Sequence, residues 1–124
     1  MIHTIELFGK KYPASYSLRA AITVGDKYGS VRSALLSGED NQGEDLRRRS
    51  FVLMEMLKAG KVWAEREEGE SSPELPTEEE LFDRTSFRDW QNLLLIMLKI
   101  INEDDQTDFE AETTGKNVEA TPDQ

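Results

Sequence analysis

From residue 2 the side chains alternate, with Ile2, Thr4, Glu6 and Phe8 on one side and His3, Ile5 and Leu7 on the other. A period of two with β-branched residues predicts a strand. Gly9-Lys10-Lys11 supplies a turn, and Tyr12 to Tyr16 returns as a second short strand, in which Pro13 fits only at an edge. From Ser17 the period lengthens. Leu18, Ala21, Ile22, Gly25 and Tyr28 recur at helical spacing between Ser17, a suitable N-cap, and Gly29, where a helix would stop. Ser30 caps a second helix, Val31 to Leu36, and the polar, glycine-bounded stretch 38–43 reads as a loop.

A third helix is predicted from Glu44 to Glu65, with Leu46, Leu53, Met56 or Leu57, Gly60 and Trp63 or Ala64 on one stripe and acids in its first turn. Residues 65–76 are rich in Glu, Ser, Gly and Pro without an apolar pattern, the composition of a mobile linker. Thr77-Glu78-Glu79-Glu80 is a capping-box sequence that predicts a short helix over 77–83. Ser86 caps the last helix, striped by Phe87, Trp90, Leu94, Met97 and Ile101. The end of that helix, LLLIMLKII, is apolar on every face, which predicts burial from several sides. Four Leu or Ile side chains left in water would forfeit roughly 6–12 kcal/mol, comparable to the roughly 5–15 kcal/mol that holds a domain folded.

The expected fold class is α+β, mostly α: a short N-terminal β-hairpin followed by a small bundle of four to five helices. One domain over residues 1–102 is expected, with an acidic disordered tail over 103–124, where Phe109 and Val118 are too isolated to build a core.

Composition narrows the function classes. With no cysteine in 124 residues, disulfides, thiolate metal sites and thiol nucleophiles are excluded, which suits a reducing cytoplasm. The longest apolar stretch, Leu93 to Leu98, is far short of the ~20 residues that a bilayer needs, so no membrane association is expected. The net charge is −10, and residues 102–124 hold eight of the acids against Lys116 alone. Such a balance argues against phosphate-backbone binding, and so against nucleic acid as a partner. The basic run Arg47-Arg48-Arg49 follows Glu44 and Asp45 and reads as a solvated helix face.

No catalytic constellation stands out. The sole histidine is His3, near a terminus, whereas nucleophilic catalysis needs a positioned base. The acids form runs rather than ligand spacings, so no metal is expected. Gly25, Gly29 and Gly38 lack the strand-to-helix context of a phosphate loop, so no cofactor is expected either. A non-enzymatic protein that binds other proteins is the resulting expectation. Trp63 and Trp90 read two ways, as core residues or as hot spots of an interface. In the second reading Trp90, Leu93, Leu94 and Met97, with Trp63, form the partner-binding surface, and Leu93 and Leu95 are exposed.

The opening IELFGKKYPASYS, the helix leading to DKYGSV, the charged linker, the late helix DWQNLLLIML and an acidic end containing GKN resemble the tail assembly chaperones of long-tailed bacteriophages and prophages. That resemblance implies a cytoplasmic holdase in the host cell. It would coat the aggregation-prone tape measure protein, assist polymerisation of the tail tube protein around it, and leave before the virion is complete. It also implies a longer product of programmed ribosomal slippage, for which Gly115-Lys116-Asn117 can be encoded as GGA AAA AAC. An acidic nucleic-acid mimic that inhibits a host DNA-binding protein is the alternative. It would need carboxylates fixed on a folded surface. Self-association into a homo-oligomer is compatible with either reading.

Overall fold

A computed structural model describes residues 3–36 and 41–105. The elements are β1 (His3–Leu7), β2 (Lys10–Ala14), α1 (Leu18–Tyr28), α2 (Val31–Leu36), α3 (Gln42–Glu67), α4 (Glu78–Arg84) and α5 (Phe87–Asp105). The molecule is therefore mostly α with a small antiparallel hairpin, the expected fold class. The acidic stretch 106–124, with the expectations of disorder and of a slippage site made for it, lies outside the described residues.

β1 and β2 pair antiparallel with Ile5 opposite Tyr12 and Glu6 opposite Lys11. The alternation decides which face is buried: Ile5, Leu7, Tyr12 and Ala14 enter the core, while Thr4, Glu6 and Lys11 stay outside. The turn is tighter than Gly9-Lys10-Lys11, since Lys10 and Lys11 belong to β2. Its centre is Phe8-Gly9, both at positive φ (55° and 79°), as two-residue hairpin turns demand. Phe8 is an uncomfortable residue for that backbone. It is held there by packing on the core and by the Arg84 guanidinium, 4.2 Å from the ring centre. Pro13 sits opposite Thr4 in a sheet whose strands are both edges.

Local capping sets the helix starts as expected. The Ser17 hydroxyl accepts from Ala20 N at 3.2 Å, Ser30 from Ser33 N at 3.0 Å, and Ser86 from Asp89 N at 3.1 Å. At α4 the capping box is complete: Thr77 accepts from Glu80 N at 3.0 Å, and the Glu80 carboxylate accepts from Thr77 N at 2.9 Å. α3 begins two residues early because Asn41 caps it, accepting from Glu44 N at 2.9 Å, and it runs on to Glu67.

The central element is α3, not α5. Every residue from Val52 to Leu57 is buried, because β2, α1, α2 and α4 all pack around it. Within that stretch Glu55 is paired with Lys58 at 3.0 Å. At Gly60 the backbone of β2 lies directly on the helix: a Cβ there would fall well under 3.0 Å from Pro13 and Ala14 backbone atoms. Ser15 N donates to Met56 O at 3.1 Å beside that crossing.

α5 packs on β1 with Trp90, Leu93, Met97, Leu98, Ile100 and Ile101 inward. The all-round burial expected of α5 is not found, because only one side of it meets the body. Leu95 is 64% exposed, and Ile96 and Phe87 are exposed with it. Two boundaries also move. The 65–76 linker begins later and lies against the body: Lys61 Nζ donates to the Ser72 and Pro73 carbonyls at 3.4 Å, Leu75 packs on the core and Pro76 is buried. Glu103 and Asp104, assigned above to the tail, belong to α5. Asp104 accepts from Tyr16 N and pairs with His3 Nε2, both at 2.9 Å, which stitches the last helix to the first strand.

Candidate partner-binding surface

His3, the sole histidine of the chain, faces two acids of α5. Nε2 faces Asp104 at 2.9 Å and Nδ1 faces Glu103 at 3.5 Å, so both ring nitrogens are engaged by carboxylates. The side chain works as a strap between strand and helix. Among the described residues no group of three or more His, Asp or Glu is placed to hold a metal ion, and no helix is long and apolar enough to cross a membrane. The arginine run is partly structural, since Arg48 pairs with Asp45 and Arg49 Nε donates to Leu35 O at 2.9 Å, while Arg47 remains exposed.

What the surface does offer is apolar. A cleft of about 460 Å³ opens between the first half of α3 and the corner joining α4 to α5. Leu46, Ser50 and Leu81 line its interior with Trp90, and Phe82 and Phe87 stand at it still open to solvent, Phe87 at 53%. The chain folds this way locally because α4 ends at Thr85 and Ser86 immediately caps α5, so the two phenylalanines flank a break rather than share a helix stripe. Thr85 Oγ1 and Trp90 Nε1 are buried with no hydrogen-bond partner, and both residues line the cleft. Native proteins leave few such atoms.

A second groove, about 690 Å³, runs between the start of α1 and the second half of α3. Leu18 (79% exposed), Val62 and Trp63 (38%) give it an apolar lining, and Ile22 continues the Leu18 face one turn on. Arg19, Lys58 and Arg66 line it with Glu55 and Glu67.

The expected contact residues are therefore divided. Trp90 (6% exposed), Leu93 and Met97 are buried in the core, which corrects the reading of Leu93 as exposed, and Leu94 is half-buried. Helical spacing alone had joined them into one surface, but that stripe is the one α5 turns towards the hairpin. Trp90 still reaches a cleft from below, and Trp63 reaches the other groove from the side. Phe82, Phe87, Leu18 and Val62 were missed. Leu18 and Phe87 lie on the predicted stripes, directly after the Ser17 and Ser86 caps, so helical spacing read them as core, and their place in the first turn was the available signal.

Comparison with protein-family models, with curated proteins and with solved structures gives no match to this chain.

Proposed function

We propose that this protein is a non-enzymatic holdase whose α3–α4–α5 cleft receives an apolar helical segment of a client polypeptide. The observation that carries the reading is the pair Phe82 and Phe87, two aromatic side chains kept in water at the edge of a cleft deep enough to take a helix side chain. Exposed aromatics grouped at a concave apolar surface are what helix-in-groove recognition uses. A net charge of −10 would keep loaded and unloaded particles apart in solution.

In the biological version of this proposal the resemblance to tail assembly chaperones supplies the client. The protein would act in the bacterial cytoplasm on the tape measure protein, together with tail tube subunits, and be absent from the mature virion. The test is co-expression with the tape measure protein encoded nearest to this gene. The wild-type chain should hold the client in the soluble fraction, and Phe82→Ser with Phe87→Ser should return it to the pellet while leaving the far-UV CD spectrum of the chaperone unchanged. A double variant that folds and still solubilises the client removes the cleft from the mechanism. A wild-type chain that fails to hold it removes the holdase reading.

A further inference from the structure

Two exposed patches on the folded body complement each other. The groove between α1 and the second half of α3 has an apolar lining of Leu18, Val62 and Trp63, and Arg19 and Arg66 stand exposed along it. Neither guanidinium pairs with an acid among the described residues. Of the other charged groups there, Glu55 is buried and paired with Lys58, which leaves Glu67 as the exposed carboxylate of the lining. The rim is therefore mainly cationic in a chain whose net charge is −10.

α4 carries the opposite pattern. Phe82 is 41% exposed, Glu78 and Glu79 lie one turn before it on the same face, and Asp83 follows it. All three acids are exposed. An aromatic side chain bracketed by carboxylates matches an apolar groove with a cationic rim. The two patches cannot meet within one chain, because α4 packs beside Leu46 and Ser50 while the groove lies at Val62 to Arg66. From Leu46 to Val62 the helix rises roughly 24 Å. A contact between the patches therefore joins two copies.

We propose that this chain self-associates, with Phe82 of one copy seated against Leu18, Val62 and Trp63 of another and the α4 acids facing Arg19 and Arg66. Each copy offers one patch of each kind, so the contact closes into a reciprocal pair or continues into a longer assembly. The net charge opposes association at a distance, which keeps the contact weak and reversible. Phe82 also stands at the cleft assigned to the client, so a client would have to displace the second copy. That consequence rests on the proposed client site, whereas the self-association does not.

Two surface variants test the contact with no client present. Leu18→Glu puts a carboxylate into the groove at the first turn of α1, where a helix tolerates it, and Phe82→Ser removes the aromatic side chain from α4. In sedimentation velocity the wild-type chain should gain mass as its concentration rises from micromolar to millimolar. Each variant alone should stay at the mass of one chain, because it lacks one half of the contact. Mixed in equal amounts, the two should regain a complex of two chains and no more, since the Phe82→Ser copy keeps the groove and the Leu18→Glu copy keeps α4. The proposal is overturned by a wild type that stays at one chain throughout, by a variant that associates like the wild type, or by a mixture that stays at one chain or passes two. Far-UV CD checks that both variants fold. Where a spectrum is altered, Arg19→Glu with Arg66→Glu replaces Leu18→Glu, and Glu79→Lys with Asp83→Lys replaces Phe82→Ser, with the same outcomes expected. A chain that remains single yet holds its client soluble would sink this inference and leave the holdase reading standing.

Discussion

Replacing Gly60 by alanine asks how closely the hairpin lies on α3. In an exposed helix, glycine to alanine gains about 1 kcal/mol, because the backbone of glycine loses more freedom on folding. At Gly60 the added carbon would fall well under 3.0 Å from Pro13 and Ala14 backbone atoms, which have no rotamer to escape into. Either β2 or α3 must give by something of the order of an ångström. The displaced strand carries buried Tyr12 and Ala14 and the 3.1 Å bond from Ser15 N to Met56 O. Overpacking of this kind costs about 1–3 kcal/mol, and a clash with backbone belongs at the upper end, so after the helix gain of about 1 kcal/mol the expected net loss is about 1–2 kcal/mol. Gly25→Ala is the matched control: it is also helical, and its Cβ would meet nothing within 4 Å, so a gain of about 0.5–1 kcal/mol is expected. Urea denaturation of the three proteins, followed by far-UV CD and compared at equal m-value, reads both effects. The contact between hairpin and helix is refuted if Gly60→Ala matches or exceeds the wild type in stability.

Four further substitutions separate structural roles. Thr85→Val should stabilise the fold by about 1 kcal/mol, since it removes a buried hydroxyl with no partner at a backbone that is already extended; a lower denaturation midpoint would mean that the hydroxyl is satisfied. Asp104→Ala should cost about 1.5–3 kcal/mol by removing the acceptor of Tyr16 N and the partner of His3 Nε2, with early amide exchange at β1 and the end of α5 as the local signature. Trp90→Ala should cost about 3–5 kcal/mol as a core truncation, whereas Trp63→Ala should cost no more than about 1 kcal/mol. Equal losses for the two tryptophans in chemical denaturation would contradict their different burial.

Short-range grammar was legible. The hairpin alternation, the serine and threonine caps at Ser17, Ser30, Thr77 and Ser86, and the stop at Gly29 each act within a few residues, and each is found where the pattern placed it. Which helix would be enclosed was not legible. α5 is the more uniformly apolar, yet it is the Val52 to Leu57 stretch of α3 in which every residue is buried, because enclosure depends on neighbours contributed by β2, α1, α2 and α4. Asp104 could not be told from the acids around it, since its role rests on partners about a hundred residues away. The same limit applies to the binding surface. Trp90, Leu93 and Met97 follow one stripe and are core, Trp63 emerges at a groove, and Phe82 and Phe87 become neighbours only through the bend at Thr85-Ser86.

The stitch between His3 and Asp104 brings the first strand and the last helix together at one pole of the molecule. A fold closed in this way suits circular permutation. A short glycine-serine bridge joining the start of β1 to the end of α5, with new ends opened in the exposed Glu68 to Ser71 segment, should regenerate the same body from a rearranged gene. By the same geometry, a module appended before β1 or after α5 would project from a common side, leaving the aromatic cleft at the opposite end of α5 unobstructed.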